Sequence, residues 1–203
     1  MSHLPLTVNM KGKRVVIVGG GTVAEKRAKK LLDAEASITI VSPEITPGLG
    51  HLAGEERFHW KRRTFERSDI EGAFLLIAAT GNRHVDEEVK KAGENVPLVN
   101  ISGEADAGNI HFPAHFSRGR LSIAVSTGGA SPALAARIKN RLEEEYDEDY
   151  AAYLDFLHVC RTKIKTSGLS EEKKKEAINK LLDEDCGEEK EQALMVARLE
   201  GIE

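Results

Sequence analysis

The chain has 203 residues, of which 40% are apolar, 31% charged and 5% aromatic, and its formal net charge is −4. This balance is typical of a globular protein and argues against disordered, collagen-like and membrane-spanning chains, while the net acidity argues against binding along a nucleic-acid backbone. Cys160 and Cys186 lie far apart without a metal-binding spacing, so we expect neither a disulfide framework nor a zinc site, and we expect a cytoplasmic protein.

The first half of the chain alternates short apolar runs with segments of helical periodicity. Strands are predicted at residues 13–18, 37–41, 58–65, 74–79 and 97–101, and helices at residues 23–32 and 83–93. The fourth strand is apolar on both faces, as a parallel sheet covered by helices requires. Strand, helix and strand at these intervals predict a doubly wound α/β domain.

The second half has a different pattern. After a loop at residues 102–108, a strand is predicted at 121–125, a small-residue loop at 126–132 and a helix at 133–145. From residue 147 onward only helical patterns occur, the last of them at residues 194–199. The sequence therefore predicts three units: a nucleotide-type domain over residues 1–112, a short central segment over 113–146 and an all-helical C-terminal domain over 147–203.

A glycine-rich turn joins the first predicted strand to the first predicted helix. Gly19, Gly21 and Ala24 fit the pattern G-x-G-x-x-A, which combines a tight turn, an open approach for pyrophosphate and close helix–sheet packing. The unpaired N–H groups near Thr22 and Val23 would then face the anion. A glycine turn without a ligand is the alternative, but the flanking strand and helix favour nucleotide binding.

The end of the second predicted strand bears on the choice of nucleotide. An acidic ribose ligand is expected about 20 residues after the glycine turn, and Glu44 comes slightly later than that, so it faces either the adenosine pocket or solvent. No arginine directly follows this strand to neutralise a 2′-phosphate, which favours NAD over NADP. The glycines alone do not exclude FAD or a methyl donor.

Two further polar residues follow strands that end at the same edge of the predicted sheet. Thr80 lies in the small-residue sequence after the fourth strand, where a dinucleotide would cross, although a plain strand-to-helix turn is the alternative. Asn100 ends the fifth strand and is a candidate to contact a nicotinamide amide or a substrate, with a turn-forming role equally open.

The loop at residues 126–132 offers small residues at a helix N-terminus. Ser126, Gly128, Gly129 and Ser131 belong to it, and backbone donors in such a loop favour a carboxylate or a phosphate. A flexible connection is the competing interpretation.

Glu104 and Asp106 follow Asn100 and are the candidates for accepting a proton during catalysis, unless they are merely solvated. His111 and His115 have the spacing of a helical metal site, but Pro113 between them argues against a continuous helix, and we predict no metal site.

Taken together, these motifs resemble the precorrin-2 dehydrogenase family, whose module also forms the amino-terminal half of bacterial siroheme synthase. The matching residues cover about two-thirds of the chain in order: 3–5 (HLP), 16–28 (VIVGGGTVAEKRA), 77–80 (IAAT), Asn100, 112–113 (FP) and 124–135 (AVSTGGASPALA). This combination is far more specific than a glycine pattern alone.

The resemblance implies NAD-dependent oxidation of precorrin-2 to sirohydrochlorin in siroheme biosynthesis. It also implies a Rossmann-type domain, a central dimerisation segment and a helical C-terminal domain in a homodimer. The family's nucleotide contacts match Thr22, Val23, Pro43 and Glu44, and its tetrapyrrole site lies beside the loop at residues 128–132. Because the substrate carries many carboxylates, Arg118 and Arg120 are further candidate contacts.

One departure from the family pattern concerns metal insertion. Family members that also act as chelatases carry an aspartate where this chain has Gly103, so we expect dehydrogenation alone. Precorrin-2 would then come from a separate methyltransferase, and sirohydrochlorin would pass to a separate chelatase. The alternatives are a bifunctional dehydrogenase and ferrochelatase, in which Glu104 or Asp106 replaces that aspartate, and an NAD-sensing regulatory module.

Overall fold

The computed structural model describes residues 3–104 and 107–183, and the chain divides into two compact units, one ending at Phe112 and one beginning at Pro113. Asp106, Cys186 and the helix predicted at residues 194–199 lie outside the described residues. Among the described helices, none is long and apolar enough to cross a membrane.

The first unit is built around a five-stranded parallel sheet. In chain order it contains β1 (Arg14–Val18), α1 (Thr22–Asp33), β2 (Ser37–Val41), α2 (Pro47–Gly54), β3 (His59–Lys61), β4 (Leu75–Ala78), α3 (Arg83–Ala92) and β5 (Leu98–Ile101). The strand order is β3-β2-β1-β4-β5, so the order reverses between β1 and β4. Sheets of this kind bind ligands at that switch point, beyond the carboxyl ends of the strands. The predicted doubly wound α/β fold is confirmed.

The core of this unit occupies both faces of the sheet, since alternate residues of each strand point to opposite sides. Buried residues on the α1 side include Val15, Ile17, Ile77, Ala24, Ala28 and Leu31, and those on the other side include Val16, Val18, Leu76 and Val89. Side chains as small as alanine on α1 let the helix lie close to the sheet, which fixes its N-terminus beside the end of β1.

The second unit combines a hairpin with helices. It contains the antiparallel strands β6 (Ala114–Arg118) and β7 (Leu121–Val125), followed by α4 (Pro132–Glu145), α5 (Asp149–Thr166) and α6 (Glu171–Asp183). Phe156, Cys160 and Ile164 of α5 form a buried cluster with Leu181 of α6. The helical character of this part agrees with the prediction, whereas β6 and, in the first unit, α2 were not predicted.

Candidate dinucleotide site

The turn after β1 is closed by contacts that only glycine permits at its first position. Gly19 has φ +114°, and a Cβ built on it would lie 2.2 Å from the carbonyl oxygen of Ala79, after β4. Its N–H donates to the carbonyl of Val41, at the end of β2, over 2.9 Å. Gly19 therefore joins the ends of the three central strands at the switch point.

The middle glycine, which the motif leaves unspecified, is packed as closely. A Cβ on Gly20 would lie 2.1 Å from the backbone oxygen of Glu44, and the Gly20 carbonyl accepts a hydrogen bond from the N–H of Thr46 over 2.9 Å. The glycine turn and the loop after β2 are thus interlocked. Sequence reasoning missed this role because it depends on a contact between residues far apart in the chain.

Gly21 differs from its two neighbours because it faces open space. It is the N-cap of α1 with an extended backbone, and a Cβ there would meet no atom within 4 Å. The first hydrogen bond of the helix runs from the N–H of Glu25 to the carbonyl of Gly21 over 3.0 Å, so the N–H groups of Thr22 and Val23 have no partner within the helix. This arrangement fits a pyrophosphate, which needs both free donors and backbone accessible at close range.

The loop after β2 is rigid in its backbone and exposed in its side chains. The Ser42 hydroxyl donates to the carbonyl of Glu44 over 2.6 Å, and the Trp60 indole donates to the carbonyl of Ser42 over 2.9 Å. Pro43 and Glu44 are exposed beside the glycine turn, and within the described chain the Glu44 carboxylate has no hydrogen-bond or ion-pair partner. A carboxylate held there is free to accept hydrogen bonds from a ribose diol.

One flank of α1 is tied to this loop. Glu25 accepts hydrogen bonds from the hydroxyl of Thr46 and the ammonium of Lys29, each over 2.6 Å. The bond from Lys29 and then that from Thr46 hold the pKa of Glu25 below its ordinary value. Glu25 therefore stays ionised at neutral pH and fixes the loop against the helix.

The basic residues at the end of β3 and directly after it are mostly engaged in a buried ion cluster. Asp69 is fully buried and accepts hydrogen bonds from Lys61 over 2.7 Å and from both terminal nitrogens of Arg63 over 2.7 and 2.8 Å. Burial alone would raise the pKa of Asp69, but the bonds from Arg63 and Lys61 outweigh it and hold that pKa well below its usual range. Arg62 instead stacks over the ring of Trp60.

Thr80 lies at the predicted edge, but its hydroxyl already has partners. It donates to a carboxylate oxygen of Asp86 over 2.7 Å and accepts from the N–H of Asn82 over 3.0 Å. Asn82 in turn caps the start of α3 by accepting from His84 and Val85. These bonds account for the turn, and a contact between Thr80 and the cofactor remains a prediction.

Asn100 carries an unpaired buried oxygen. The residue is 8% exposed, and its side-chain amide nitrogen donates to the carbonyl of Ile110 over 3.0 Å. Since a carbonyl only accepts, this bond fixes the orientation of the amide and turns Oδ1 the other way. Oδ1 has no hydrogen-bond partner, and neither does the buried hydroxyl oxygen of Ser102. Both lie at the carboxyl end of β5, where a ligand's N–H or O–H groups would satisfy them.

A short segment along the outer edge of β5 holds Asn100 in place. Asn109 accepts from the N–H of Val99 over 2.7 Å and donates to the carbonyl of Pro97 over 2.9 Å, as a neighbouring strand would. A Cβ on Gly108 would lie 2.4 Å from the Val99 carbonyl oxygen, so this close approach requires glycine. The segment thereby covers an otherwise unpaired sheet edge.

Of the two candidate proton acceptors, the structure describes only Glu104. Glu104 forms an ion pair with Arg83 over 3.3 Å and is partly exposed near the carboxyl end of β5. Asp106 lies outside the described residues. Gly103, which the family resemblance aligns with the aspartate of chelatase members, has φ +92°, a conformation that most residues with a side chain rarely adopt.

In the second unit, the loop at residues 126–132 uses its hydroxyls internally. Ser126 accepts from the N–H of Gly128 over 3.2 Å, and Ser131 caps α4 by accepting from Leu134 over 3.2 Å. Gly128 and Gly129 both have positive φ. Exposed backbone of this loop is available to a ligand, and substrate contacts by these residues remain a prediction.

The two arginines considered for substrate carboxylates have partners of their own. Arg118 pairs with Glu143 and Glu148, and Arg120 pairs with Asp155 over 2.8 Å. The structure therefore does not support either as an unpaired cation. Sequence could not show this, because the partner carboxylates come from helices α4 and α5 and the turn between them.

Comparison with known proteins gives a consistent result along the chain. Residues 6–114 match a family described as putative NAD(P)-binding, residues 118–145 the sirohaem biosynthesis protein central family and residues 150–194 the SirC C-terminal domain. The chain is 38% identical to a precorrin-2 dehydrogenase of Priestia megaterium (87% of this chain, 88% of that protein). It is 37% identical to a precorrin-2 dehydrogenase of Bacillus subtilis, and that match covers 79% of this chain and 99% of that protein.

More distant relatives and a solved structure agree. Siroheme synthase 1 of Aeromonas salmonicida is 31% identical, and the match covers 91% of this chain but 40% of that protein. The solved structure of SirC, precorrin-2 dehydrogenase, superposes with a TM-score of 0.85 at 35% identity, covering 98% of this chain and all of the other. The resemblance predicted from the motifs is confirmed: the chain belongs to the precorrin-2 dehydrogenase family of oxidoreductases.

Proposed function

We propose that this protein oxidises precorrin-2 to sirohydrochlorin with NAD⁺ as the hydride acceptor. The observation that carries the proposal is the opening at Gly21, where free N–H groups meet bare backbone at the switch point of the sheet. The family relationship supplies the substrate: relatives named precorrin-2 dehydrogenase match over nearly their whole length.

The oxidation removes a hydride and a proton from the macrocycle and yields NADH. When bound, NAD⁺ supplies the acceptor for the hydride. The protein's contribution is to hold the reactants in register: Thr22 and Val23 donate to the pyrophosphate, and Asn100 Oδ1 accepts an N–H from the nicotinamide amide or from the substrate. Because the step extends the conjugation of the macrocycle and is downhill, positioning provides most of the catalysis.

NAD is favoured over NADP by the charges around the loop after β2. Glu44 presents an unpaired carboxylate there, which binds ribose hydroxyls and repels a 2′-phosphate. Lys61, at the end of β3, and Arg63 are bound to Asp69 and are not free to neutralise that phosphate. Arg62 lies between them, is exposed over the ring of Trp60 and has no carboxylate partner among the described residues, so it is the one cation there that a 2′-phosphate could still reach.

The proton released in the reaction goes to Glu104, Asp106 or water. Glu104, which pairs with Arg83, is the described candidate. Assays of Glu104→Ala and Asp106→Ala discriminate these acceptors: unchanged turnover in both variants would identify water as the acceptor.

A homodimer is the proposed assembly. Leu134 and Ile138, one turn apart on α4, are 49% and 37% exposed, and the β6–β7 hairpin has only two strands, an arrangement that is marginal by itself. Pairing with a second copy would cover this apolar surface. Sedimentation analysis tests this assembly, and a single monomeric species at micromolar concentration would refute it.

We further propose that the protein acts in the cytoplasm without chelatase activity, receiving its substrate from a separate methyltransferase and passing its product to a separate chelatase. The glycine at position 103, where the resemblance aligns the aspartate of chelatase members, supports the proposed lack of chelatase activity.

The direct test mixes purified protein, precorrin-2 and NAD⁺ anaerobically and follows the absorbance of sirohydrochlorin. Formation clearly faster than in a protein-free control is expected. A rate equal to the control, with NAD⁺ still binding, would favour an NAD-sensing module, and iron-dependent siroheme formation above background would restore the chelatase alternative.

A further inference from the structure

Arg27 is a half-buried cation that lacks an acidic partner. It lies in the second turn of α1, and its guanidinium carbon is 4.2 Å from the centre of the Phe112 ring. Within the described residues it makes no hydrogen bond or ion pair, whereas Arg63, Arg83, Arg118 and Arg120 all contact carboxylates. Burial lowers the pKa of Arg27, as expected for a cation whose hydration is reduced without a compensating charge.

The position of Arg27 on α1 places it on the side of β4 and β5. Glu25, two residues earlier and so about 200° around the helix, is bonded to Thr46 in the loop after β2. The contact of Arg27 with Phe112 shows that its own flank faces the segment that follows β5. Side chains on a helix lean toward its N-terminus, which is the end of α1 that carries Gly21.

A second unpaired group lies on the same side of the sheet. The backbone oxygen of Ile110 accepts from the amide of Asn100, whose Oδ1 is buried without a partner, and Ile110 is only two residues from Phe112. One short segment thus connects an unpaired acceptor with an unpaired cation. Ile110 and Phe112 both pack on the α1 side of the sheet, and two unpaired groups held by this one segment would suit a ligand that brings both an anion and N–H donors.

Building on the proposed function, we propose that Arg27 binds a peripheral carboxylate of the tetrapyrrole substrate. The planar guanidinium, which lies over the ring of Phe112, offers two parallel N–H groups to a carboxylate, which a lysine does not. The pyrophosphate is a weaker candidate because the N–H groups of Thr22 and Val23 already serve it, one turn closer to the helix end.

The experiment measures binding of two ligands to the same variants. Sirohydrochlorin, the polycarboxylate product, is titrated anaerobically by absorbance, and NAD⁺ is titrated by calorimetry. Arg27→Gln is expected to weaken sirohydrochlorin binding at least tenfold, the usual effect of removing a charge-assisted hydrogen-bond pair, and to leave NAD⁺ affinity within twofold. The sirohydrochlorin affinity of Arg27→Lys is expected to lie between those of the wild type and Arg27→Gln, since lysine keeps the charge but loses the paired N–H geometry.

Lys13→Gln is the matched control. Lys13 also stacks on an aromatic ring, that of Phe74 at 5.1 Å, but it precedes β1 at the opposite end of the sheet. It should leave both affinities unchanged.

The proposal for Arg27 would be overturned if Arg27→Gln bound sirohydrochlorin as tightly as the wild type, or if it lost NAD⁺ affinity as much as sirohydrochlorin affinity. In either case, turnover of precorrin-2 by the wild type would still uphold the proposed function. A wild type that neither binds sirohydrochlorin nor oxidises precorrin-2 would overturn both.

Discussion

Gly20 and Gly21 are adjacent, yet the structure predicts opposite effects for alanine at the two positions. In Gly20→Ala the new Cβ would lie 2.1 Å from the Glu44 carbonyl oxygen and 2.9 Å from atoms of Ser42 and Ile45. Because the closest obstacle is backbone, relief requires moving a hydrogen-bonded loop, and we expect a loss of about 2–3 kcal/mol in the free energy of unfolding. In Gly21→Ala the Cβ meets no atom within 4 Å, and the change in stability should stay within about 0.5 kcal/mol.

The two variants are separated by thermal unfolding with and without NAD⁺. For a chain of this length each kcal/mol shifts Tm by about 2–4 °C, so Gly20→Ala should unfold about 4–12 °C below the wild type. Gly21→Ala should unfold near the wild-type Tm. At about 100 times Kd, NAD⁺ should stabilise the wild type by about 2.7 kcal/mol, whereas in Gly21→Ala the methyl group stands where the pyrophosphate must approach and the shift should vanish.

Either half of this pattern can fail independently. A Gly21→Ala protein that NAD⁺ stabilises as much as the wild type would refute pyrophosphate binding at this turn. A Gly20→Ala protein with the wild-type Tm would refute the interlocking of the glycine turn with the loop after β2.

Three further predictions concern the surroundings of the site. Asp69→Asn should lower the free energy of unfolding by about 3 kcal/mol at pH 7. Because the pKa of Asp69 is lower in the folded than in the unfolded protein, this contribution is present above the unfolded-state pKa and is lost as the pH falls toward the folded-state pKa. Urea titrations of wild type and variant should therefore differ less at pH 3 than at pH 7, and an equal difference would contradict the ion-pair explanation. Glu44→Arg should raise NADP⁺ affinity relative to NAD⁺ at least tenfold by calorimetry, and an unchanged ratio would remove Glu44 from the ribose site. Asn109→Ala should cost about 1–2 kcal/mol by urea unfolding because it leaves an N–H of β5 unpaired, whereas wild-type stability would show that water replaces the side chain there.

The strands of the first unit could be predicted because burial on both faces of a parallel sheet leaves continuous apolar runs. The strands predicted at residues 37–41 and 121–125 have the same limits as the observed strands β2 and β7. Two elements lacked such a signal. For α2, only the capping pair Thr46 and Pro47 indicates a helix in the sequence. β6 has little apolar character besides Phe116, since a two-stranded hairpin needs no continuous buried face.

The candidate site was predictable to the extent that its chemistry is local in sequence. Gly19 and Gly21 follow from the spacing of a phosphate-binding turn. The roles of Gly20, Asp69 and Asn109 could not be predicted, because each depends on groups that only the fold brings near. These groups are, respectively, the Glu44 carbonyl, the Lys61 and Arg63 cations, and the open edge of β5. Their residue types alone are equally common in solvent-exposed loops.

The two flanks of α1 differ in a way that fits the two ligands proposed for this protein. On the flank of Glu25, hydrogen bonds to Thr46 and the packing of Gly20 fix the loop before any cofactor arrives, so binding the adenosine half costs little ordering entropy. On the flank of Arg27, a cation and the oxygen of Asn100 are held in position but left unpaired. Preorganised but unsatisfied groups bind a partner more strongly than they bind water, because their desolvation has already occurred during folding. The proposal therefore predicts that substitutions on the Glu25 flank of α1 change mainly the affinity for the dinucleotide, and that Arg27→Gln on the opposite flank changes mainly the affinity for the macrocycle.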